Sequence, residues 1–380
     1  MLYTHRPLAC SRRFHIGKET LNSLNNMEPK IATLTMPRNR HYALDLLKTI
    51  SMLMVVILHV NHHCDYWKPT DTMDTATWWV SVTSVMICSV AVNVYALITG
   101  YVSVNLTWKL SRYVNLWMIV AFYTVTITGL AYFWMGSSAF SLKNLISQFT
   151  PIPFAGAHWF FTAYSILFFL MPFLNKGIAH TGQKYHVSLV IFIIAVLPIL
   201  NLFGGHIMVQ SGLNSTWLVC MYIVGAYVKK YPLSIRKRYL LILYTFVLLL
   251  QISLCFFIRP GMTSYAFPLL VMTSLCVFLM FEKLQTNKKW FASLVPFIFS
   301  VYIIHQHPYI VPLLEKICPT LAKHSYSAIM ISTIIFAVCI MIDILRSRVF
   351  SLLKLNKVGN FIGNGIQERV SAILSRYTQS

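Results

Sequence analysis

The sequence predicts an all-α, polytopic integral membrane protein with about ten transmembrane helices and both termini in the cytoplasm. Of its 380 residues, 57% are hydrophobic and only 11% are charged, and the mean hydropathy is +0.64. This composition excludes an ordinary soluble domain. Apolar segments near the ~20 residues that cross a bilayer recur along the chain. The connections between them alternate between basic and nearly uncharged, as the positive-inside rule requires of a chain with both ends inside.

The apolar segments follow a polar, basic stretch at residues 1–37. This stretch lacks the apolar core of a signal peptide, so we expect a cytoplasmic tail, with a start at Met27 or Met36 as the alternative. A membrane domain is predicted over 38–346 and a basic cytoplasmic or interfacial tail over 347–380. The predicted spans are 42–60, 78–100, 113–135, 157–174, 187–203, 214–228, 240–258, 264–281, 291–310 and 326–345.

The net charge of +21 follows from this topology and does not indicate a nucleic-acid partner. Of the 31 Lys and Arg residues, 25 fall on the side of the N-terminus, five fall on the opposite side, and Lys48 lies within a span. Basic residues concentrate on the cytoplasmic side, where they also attract anionic headgroups. We therefore expect membrane lipids as partners, no nucleic acid, and a location in the inner (cytoplasmic) membrane.

The first span contains the pattern on which the functional hypothesis depends. In RNRHYALDLLKTISMLMVVILHVNHH, Lys48 and His59 are eleven residues apart, about 1100° of helical rotation, so they share one face ~16 Å apart. Asp45 lies one turn before Lys48 on nearly the same stripe. Charged and titratable groups at membrane depth are costly, which indicates a function. The alternatives are an Asp45–Lys48 pair at the inner interface and a His59 that only bonds a neighbouring helix.

Two other spans bring polar groups to the depth of His59. The ninth span runs in the same direction as the first and carries Tyr302 and His305, whereas the fourth begins outside with His158 and Trp159. Cationic groups at the inner end suit the phosphates of a long anionic donor. An imidazole halfway across could then take a proton from a hydroxyl, and such a base typically contributes ~10²–10⁴ in rate. The alternatives are that Tyr302 and His305 only pack together, and that Trp159 belongs to the interfacial aromatic belt.

The eight cysteines show no CxxC spacing. Cys64 and Cys318 are the two expected on the outer side, so a disulfide between them is an alternative to two free thiols. His62 and His63 stand beside Cys64, but this spacing matches no familiar set of metal ligands, and no metal is predicted.

The first span resembles that of the acyltransferase-3 family of integral membrane proteins. In that family the first helix carries Arg, or less often Lys, then ten residues, then His. Here the matching residues are Lys48 and His59 within DLLKTISMLMVVILH, and Asp45 matches the acid common before the basic position. Lysine keeps the charge of the more common arginine without its bidentate fork.

Three further segments are similar to the family, so that the resemblance spans about residues 38–345. HWFFTAYSILFFLMPFLN is similar to its Trp-Phe segment in the fourth helix, and SVYIIHQHPYI to its late Tyr-x-x-His segment. ALITGYVSVNLTWKLSRYVNLW resembles the segment in which a Gly-aromatic pair leads to a basic helix start. Its matching residues are Gly100, Tyr101, Lys109 and Arg112.

The resemblance implies a membrane O-acyltransferase, most simply an O-acetyltransferase. It would take an acetyl or other short acyl group from cytosolic acetyl-CoA or another acyl-CoA. The acceptor would be a sugar hydroxyl of a cell-surface polysaccharide or its lipid-linked precursor, with glycan-assembly proteins as further partners. We expect the donor to bind Lys48, Lys109, Arg112, Gly100 and Tyr101, and the acceptor to bind His158 and Trp159. His59 is expected to act as general base or transient acyl carrier, and the other catalytic candidates are Asp45, Tyr302 and His305.

Two other classes of function are open alternatives. A transporter or flippase for a lipid-linked sugar or small solute would use the same buried charges as a pathway. A non-catalytic membrane subunit would only scaffold glycan assembly. The sequence has no internal repeat and no matched pair of broken spans, which are the pattern of many secondary transporters.

Overall fold

The computed structural model describes residues 40–64, 75–136, 141–143, 146, 158–203, 209–257, 264–321 and 325–378. The tail predicted over 1–37 lies outside these residues. The regular structure within the described ranges is helical, without strands. The helices are α1 (Tyr42–His63), α2 (Thr75–Cys88), α3 (Ala91–Ser103), α4 (Leu110–Met135), α5 (Trp159–His180), α6 (Gln183–Phe203), α7 (Ser215–Lys230), α8 (Lys237–Phe257), α9 (Pro268–Glu282), α10 (Trp290–His305), α11 (Val311–Leu321), α12 (Ser325–Leu352) and α13 (Leu355–Thr378).

The prediction of an all-α membrane protein is confirmed. Within the described ranges, seven helical stretches are long and apolar enough to cross a membrane, and α9 and α10 are shorter apolar helices. Each predicted span coincides with a helix, although the second is divided into α2 and α3 at Ser89 and Val90. The predicted boundary at residue 346 falls inside α12, which continues to Leu352.

Helix α1 lies at the centre of the bundle, where it contacts α2, α3, α9, α10, α11 and α12. Its buried side chains include Leu44, Leu47, Val56 and Val60, each at most 1% exposed. A helix buried on most sides is typical of the core of a membrane bundle. The side chains of α1 are therefore held on several sides, which makes their positions well defined.

Helices α3 and α7 cross at very short range because each presents a glycine to the other. A Cβ atom on Gly100 would lie 2.0 Å from the carbonyl oxygen of Tyr222, and a Cβ on Gly225 would lie 2.0 Å from that of Leu97. Small residues at such crossings let two backbones approach within a membrane. The requirement for glycine at position 100 therefore comes from helix packing.

Buried hydrogen bonds of Asn93 hold the outer part of the bundle together. The side-chain oxygen of Asn93 in α3 accepts from Trp217 Nε1 of α7 at 2.8 Å. Its amide donates to the Tyr265 carbonyl at 2.8 Å and to Ser274 Oγ of α9 at 3.2 Å. Because a buried amide needs all its partners, this network fixes the backbone that carries Tyr265.

The C-terminal helix α13 packs on the start of α4. Gly363 lies against the backbone of Ser111, where a Cβ would come within 2.4 Å of Ser111 Cα. The Gln367 side chain accepts a hydrogen bond from the Leu110 amide at 2.9 Å, which satisfies an otherwise unpaired donor at the start of α4. The region predicted as an interfacial tail thus forms a helix docked on the bundle.

Candidate active site

One cavity of about 340 Å³ connects the two residues of the first-span motif. Lys48, Met52, Val55 and His59 form one wall of this cavity along α1. This is the face that the eleven-residue spacing predicts. The remaining wall is mostly apolar and aromatic and consists of Val92, Tyr95, Thr99, Leu116, Trp159, Phe160, Tyr164, Tyr265, Val295, Ile298, Phe299 and Tyr302.

At the far end of the cavity from Lys48, two histidines from different helices bond each other. The Nδ1 atom of His59 lies 2.8 Å from Nε2 of His305, and the ring centroids are 5.1 Å apart. His305 is 1% exposed, whereas His59 is half-buried and reaches the cavity. The end of α10 therefore lies beside the last turns of α1, which agrees with the expectation that the ninth span runs in the direction of the first.

The next hydrogen bond of His305 determines which nitrogens of the neutral pair carry protons. Its Nδ1 lies 2.5 Å from the carbonyl oxygen of Val301, which can only accept. Nδ1 of His305 must therefore be protonated, and Nε2 is an acceptor for the Nδ1–H of His59. In this neutral pair, the Nε2 atom of His59 keeps its lone pair. A fixed tautomer with a free nitrogen is what a general base requires.

Tyr302 lies one turn before His305 and completes this end of the cavity. Its hydroxyl oxygen accepts a hydrogen bond from the Phe160 backbone amide at 3.3 Å. Because that contact uses a lone pair, the hydroxyl proton can be donated elsewhere. The α10 helix thus supplies both a partner for His59 and a hydrogen-bond donor in the same cavity.

Trp159 and His158 have different places, although they are adjacent in sequence. Trp159 lines the cavity, with its ring stacked on Tyr265 at 6.3 Å and 20°. His158 is 4% exposed and packs edge-on against Tyr302 at 5.7 Å. The centroid of its ring also lies 6.4 Å from that of His307, in the connection after α10. Of the two acceptor-binding candidates, only Trp159 is in the cavity wall.

At the inner end, Lys48 is the cationic member of the cavity wall. Its side chain is half-buried, and the Tyr95 hydroxyl donates to its backbone carbonyl at 2.7 Å. Asp45 is 7% exposed and is not part of the cavity wall. Arg112 is exposed but interacts electrostatically with Tyr164, which does line the cavity.

The other inner candidates lie outside the cavity. Lys109 is exposed and lines a separate pocket with Asn364, Gln367, Glu368 and Ser371 of the C-terminal region. The Tyr101 hydroxyl donates to Glu282 Oε1 at 3.3 Å, and Lys229 Nζ lies 4.7 Å above the Tyr101 ring. Gly100 lies at the α3–α7 crossing. The structure therefore brings Lys48 and His59 together, with Arg112 nearby, and separates them from Lys109 and Tyr101.

Sequence reasoning did not identify several residues of the cavity. Tyr95 and Thr99 lie in α3, and Tyr265 lies just before α9. The four-residue spacing of Tyr95 and Thr99 gives them one helix face, a signal that was available. No local pattern marks Tyr265, whose position depends on the hydrogen bonds of Asn93.

Comparison with known protein families gives a match over most of the chain. A family model described as an acyltransferase domain matches residues 41–345, which is most of the chain and includes every cavity residue. No curated protein and no solved structure gives a significant match. Among the described residues, no group of three or more His, Cys, Asp or Glu side chains is placed to hold a metal ion.

Proposed function

Because the chain belongs to the acyltransferase-3 family and is a membrane acyltransferase, we propose that it transfers an acetyl or other short acyl group from cytosolic acyl-CoA to a sugar hydroxyl. The proposed acceptor is a cell-surface polysaccharide or its lipid-linked precursor, and the proposed location is the cytoplasmic membrane. Acetyl-CoA is the proposed natural donor.

The observation that supports this proposal is the shared cavity of Lys48 and His59. Eleven helical residues separate the two side chains by ~16 Å along the axis. A donor with phosphates at one end and a thioester at the other matches this separation of a cation from a base. The phosphates would lie near Lys48 and Arg112, and the thioester would extend past Met52 and Val55 to His59.

In the proposed reaction, Nε2 of His59 removes the proton from the sugar hydroxyl as its oxygen attacks the thioester carbonyl. The C–O bond forms, negative charge develops on the carbonyl oxygen, and the C–S bond then breaks. The thiolate leaves and takes the proton from the His59 imidazolium, so protons balance over the cycle. His305 holds the base through its hydrogen bond to Nδ1, and the Tyr302 hydroxyl donates to the developing oxyanion.

The aromatic side chains near His59 favour a short acyl group. Trp159, Phe160 and Tyr265 fill much of the wall at this end, and Trp159 and Tyr265 stack on each other. Burying one additional methylene of an acyl chain in apolar surroundings contributes about 0.8 kcal/mol to binding. We therefore propose acetyl as the transferred group, because aromatic rings form the wall at this end.

The test is transfer of radiolabelled acetyl to glycan acceptor in proteoliposomes, combined with NMR of the surface glycan from cells with and without the gene. We expect His59→Ala to reduce transfer by about 10²–10⁴-fold, the usual contribution of a general base, with unchanged abundance in the membrane. His62→Ala is the matched control, because His62 is exposed at the end of the same helix.

Two outcomes would contradict the proposal. A membrane-inserted His59→Ala with wild-type acetylation would exclude this residue as the base. Two observations together would favour the transporter alternative: labelled solute crosses the bilayer without acyl-CoA, and the surface glycan carries no acyl group.

A further inference from the structure

Helix α11 is held to the bundle by very few groups. Of its eleven residues, Cys318 is the only one that is buried, at 0% exposed, and Val311 and Leu314 are half-buried on the same face. Leu313, Ile317 and Leu321 are each at least 45% exposed. A helix of this length is marginal by itself, so its position depends on the groups that attach it.

The attachment of α11 is to the end of α1. Fully buried Cys318 belongs to the apolar cluster against which Cys64, the residue that caps α1, is packed, and the two side chains interact. One turn earlier in α11, Glu315 Oε1 lies 3.6 Å from His63 Nδ1. His63 and Cys64 at the end of α1 thus contact one face of α11, and these contacts define how α11 is positioned against α1.

Both thiols lie at the membrane face away from the basic connections. His41, before α1, bonds the carbonyl oxygen of Glu282 at 2.7 Å, whereas His59 bonds His305 at the end of α10. Glu282 ends α9, and a short connection leads from it to α10, so α1 and α10 start on the same side of the bundle and end on the other. The basic residues concentrate on the side where α1 starts. By the positive-inside rule, Cys64 and Cys318 face the extracytoplasmic compartment, where disulfides persist.

We propose that Cys64 and Cys318 form a disulfide that fastens α11 to the end of α1. The oxidant would be a protein disulfide donor of the thiol–disulfide oxidoreductase class. The thiolate of Cys64, which is half-exposed, attacks the donor disulfide and forms a mixed disulfide. Cys318 then attacks the sulfur of Cys64 and releases the donor as a dithiol, so that two thiol protons are lost and two electrons reduce the donor.

The bridge would act on the catalytic end of the cavity. Cys64 lies five residues after His59, and Cys318 follows His305 through the short connection that carries His307. The disulfide would therefore join the end of α1 to α11 a few residues from the His59–His305 hydrogen bond, so that the bond and the bridge both tie α1 to the chain that follows α10. The proposal concerns thiol chemistry alone and does not depend on the acyl donor or the acceptor.

The test counts thiols in the full-length protein in its membrane. Free thiols are blocked with N-ethylmaleimide at lysis, and the protein is then denatured, reduced and labelled with maleimide-polyethylene glycol. We expect two adducts for the wild type, none for Cys64→Ser or Cys318→Ala, and two for the control Cys220→Ser. Peptide mass spectrometry without reduction should show Cys64 joined to Cys318. No adduct in the wild type, or a different pairing, would overturn the proposal.

Thermal unfolding provides a second measurement. A bridge requires both sulfurs, so Cys64→Ser, Cys318→Ala and the double variant should lower the melting temperature equally, and reductant should lower only that of the wild type. Additive effects that reductant does not change would show packing without a bridge and would also overturn the proposal.

Discussion

The two ends of the cavity differ in how their polar groups are held. At one end, His59 is bonded to His305, which is bonded to the Val301 carbonyl, and the Tyr302 hydroxyl is bonded to the Phe160 amide. At the other end Lys48 is half-buried and Arg112 is exposed. Directional hydrogen bonds hold the side chains at the histidine end, whereas the lysine end contributes mainly positive charge. Substitutions at the histidine end should therefore reduce kcat, and those at the lysine end should raise KM for the donor.

Removing the hydroxyl of Tyr302 should have the largest effect of the substitutions compared here. Tyr302→Phe keeps the ring and deletes the proposed donor to the oxyanion. We expect kcat to fall by about 10²–10³-fold, which is typical for loss of one such donor, with little change in KM. Tyr265→Phe is the matched control, because Tyr265 lines the same cavity. Equal losses in the two variants would remove Tyr302 from the chemical step.

The hydrogen bond between His59 and His305 gives a second way to test the ordered end. His305→Ala should lower kcat by roughly 10²-fold, because an unheld base loses its orientation. His305→Gln should recover part of this loss, since its side-chain oxygen can accept the Nδ1–H of His59. The pH–rate profile should also shift in His305→Ala, because the neighbour that fixes the His59 tautomer is lost. An unchanged profile with equal loss in both variants would indicate that His305 only fills space.

The ordered end was predicted from sequence better than the charged end. The spacing of Lys48 and His59 follows from helix geometry alone, and the direction of α10 followed from counting spans. Together these placed His305 at the membrane depth of His59. The bond between the two rings could not be predicted, because it depends on side-chain orientation across a helix interface.

The charged end was harder because its candidates were chosen by chemistry and local order. Gly100 has no side chain because the backbone of α7 packs against it, and α7 follows it by more than 100 residues in the sequence. The pocket of Lys109 includes residues of α13, whose docking on α4 depends on Gly359 and Gly363. Packing between segments so far apart in the sequence produces no hydrophobic periodicity in the segment around Lys109, so the sequence alone could not predict it. Tyr101 likewise has its partner, Glu282, at the end of a distant helix.

Lys48 tests whether the inner end acts through charge. Lys48→Ala should raise KM for acetyl-CoA by about 10- to 100-fold, which corresponds to the loss of a hydrogen bond to a charged group. Lys48→Arg keeps the charge and should remain within a few-fold of the wild type, since guanidinium also binds phosphate well. The measurement is initial rate against acetyl-CoA concentration. If both variants lose activity equally, the ammonium group has a specific role and the description of this end as a charge field is wrong.

Substitution of Lys109 should have the smallest effect on KM for acetyl-CoA, and comparison with Arg112 distinguishes the roles of the two basic residues at the start of α4. Its pocket is formed with Gln367 and Glu368 and not with the cavity wall, whereas Arg112 interacts with Tyr164 of that wall. We expect Lys109→Ala to change KM for acetyl-CoA by less than about threefold, as for an exposed charge whose interactions solvent screens. Arg112→Ala should raise KM more. A larger effect of Lys109→Ala would mean that the donor phosphates lie against α13, which would move the donor entrance from Arg112 to the C-terminal helix.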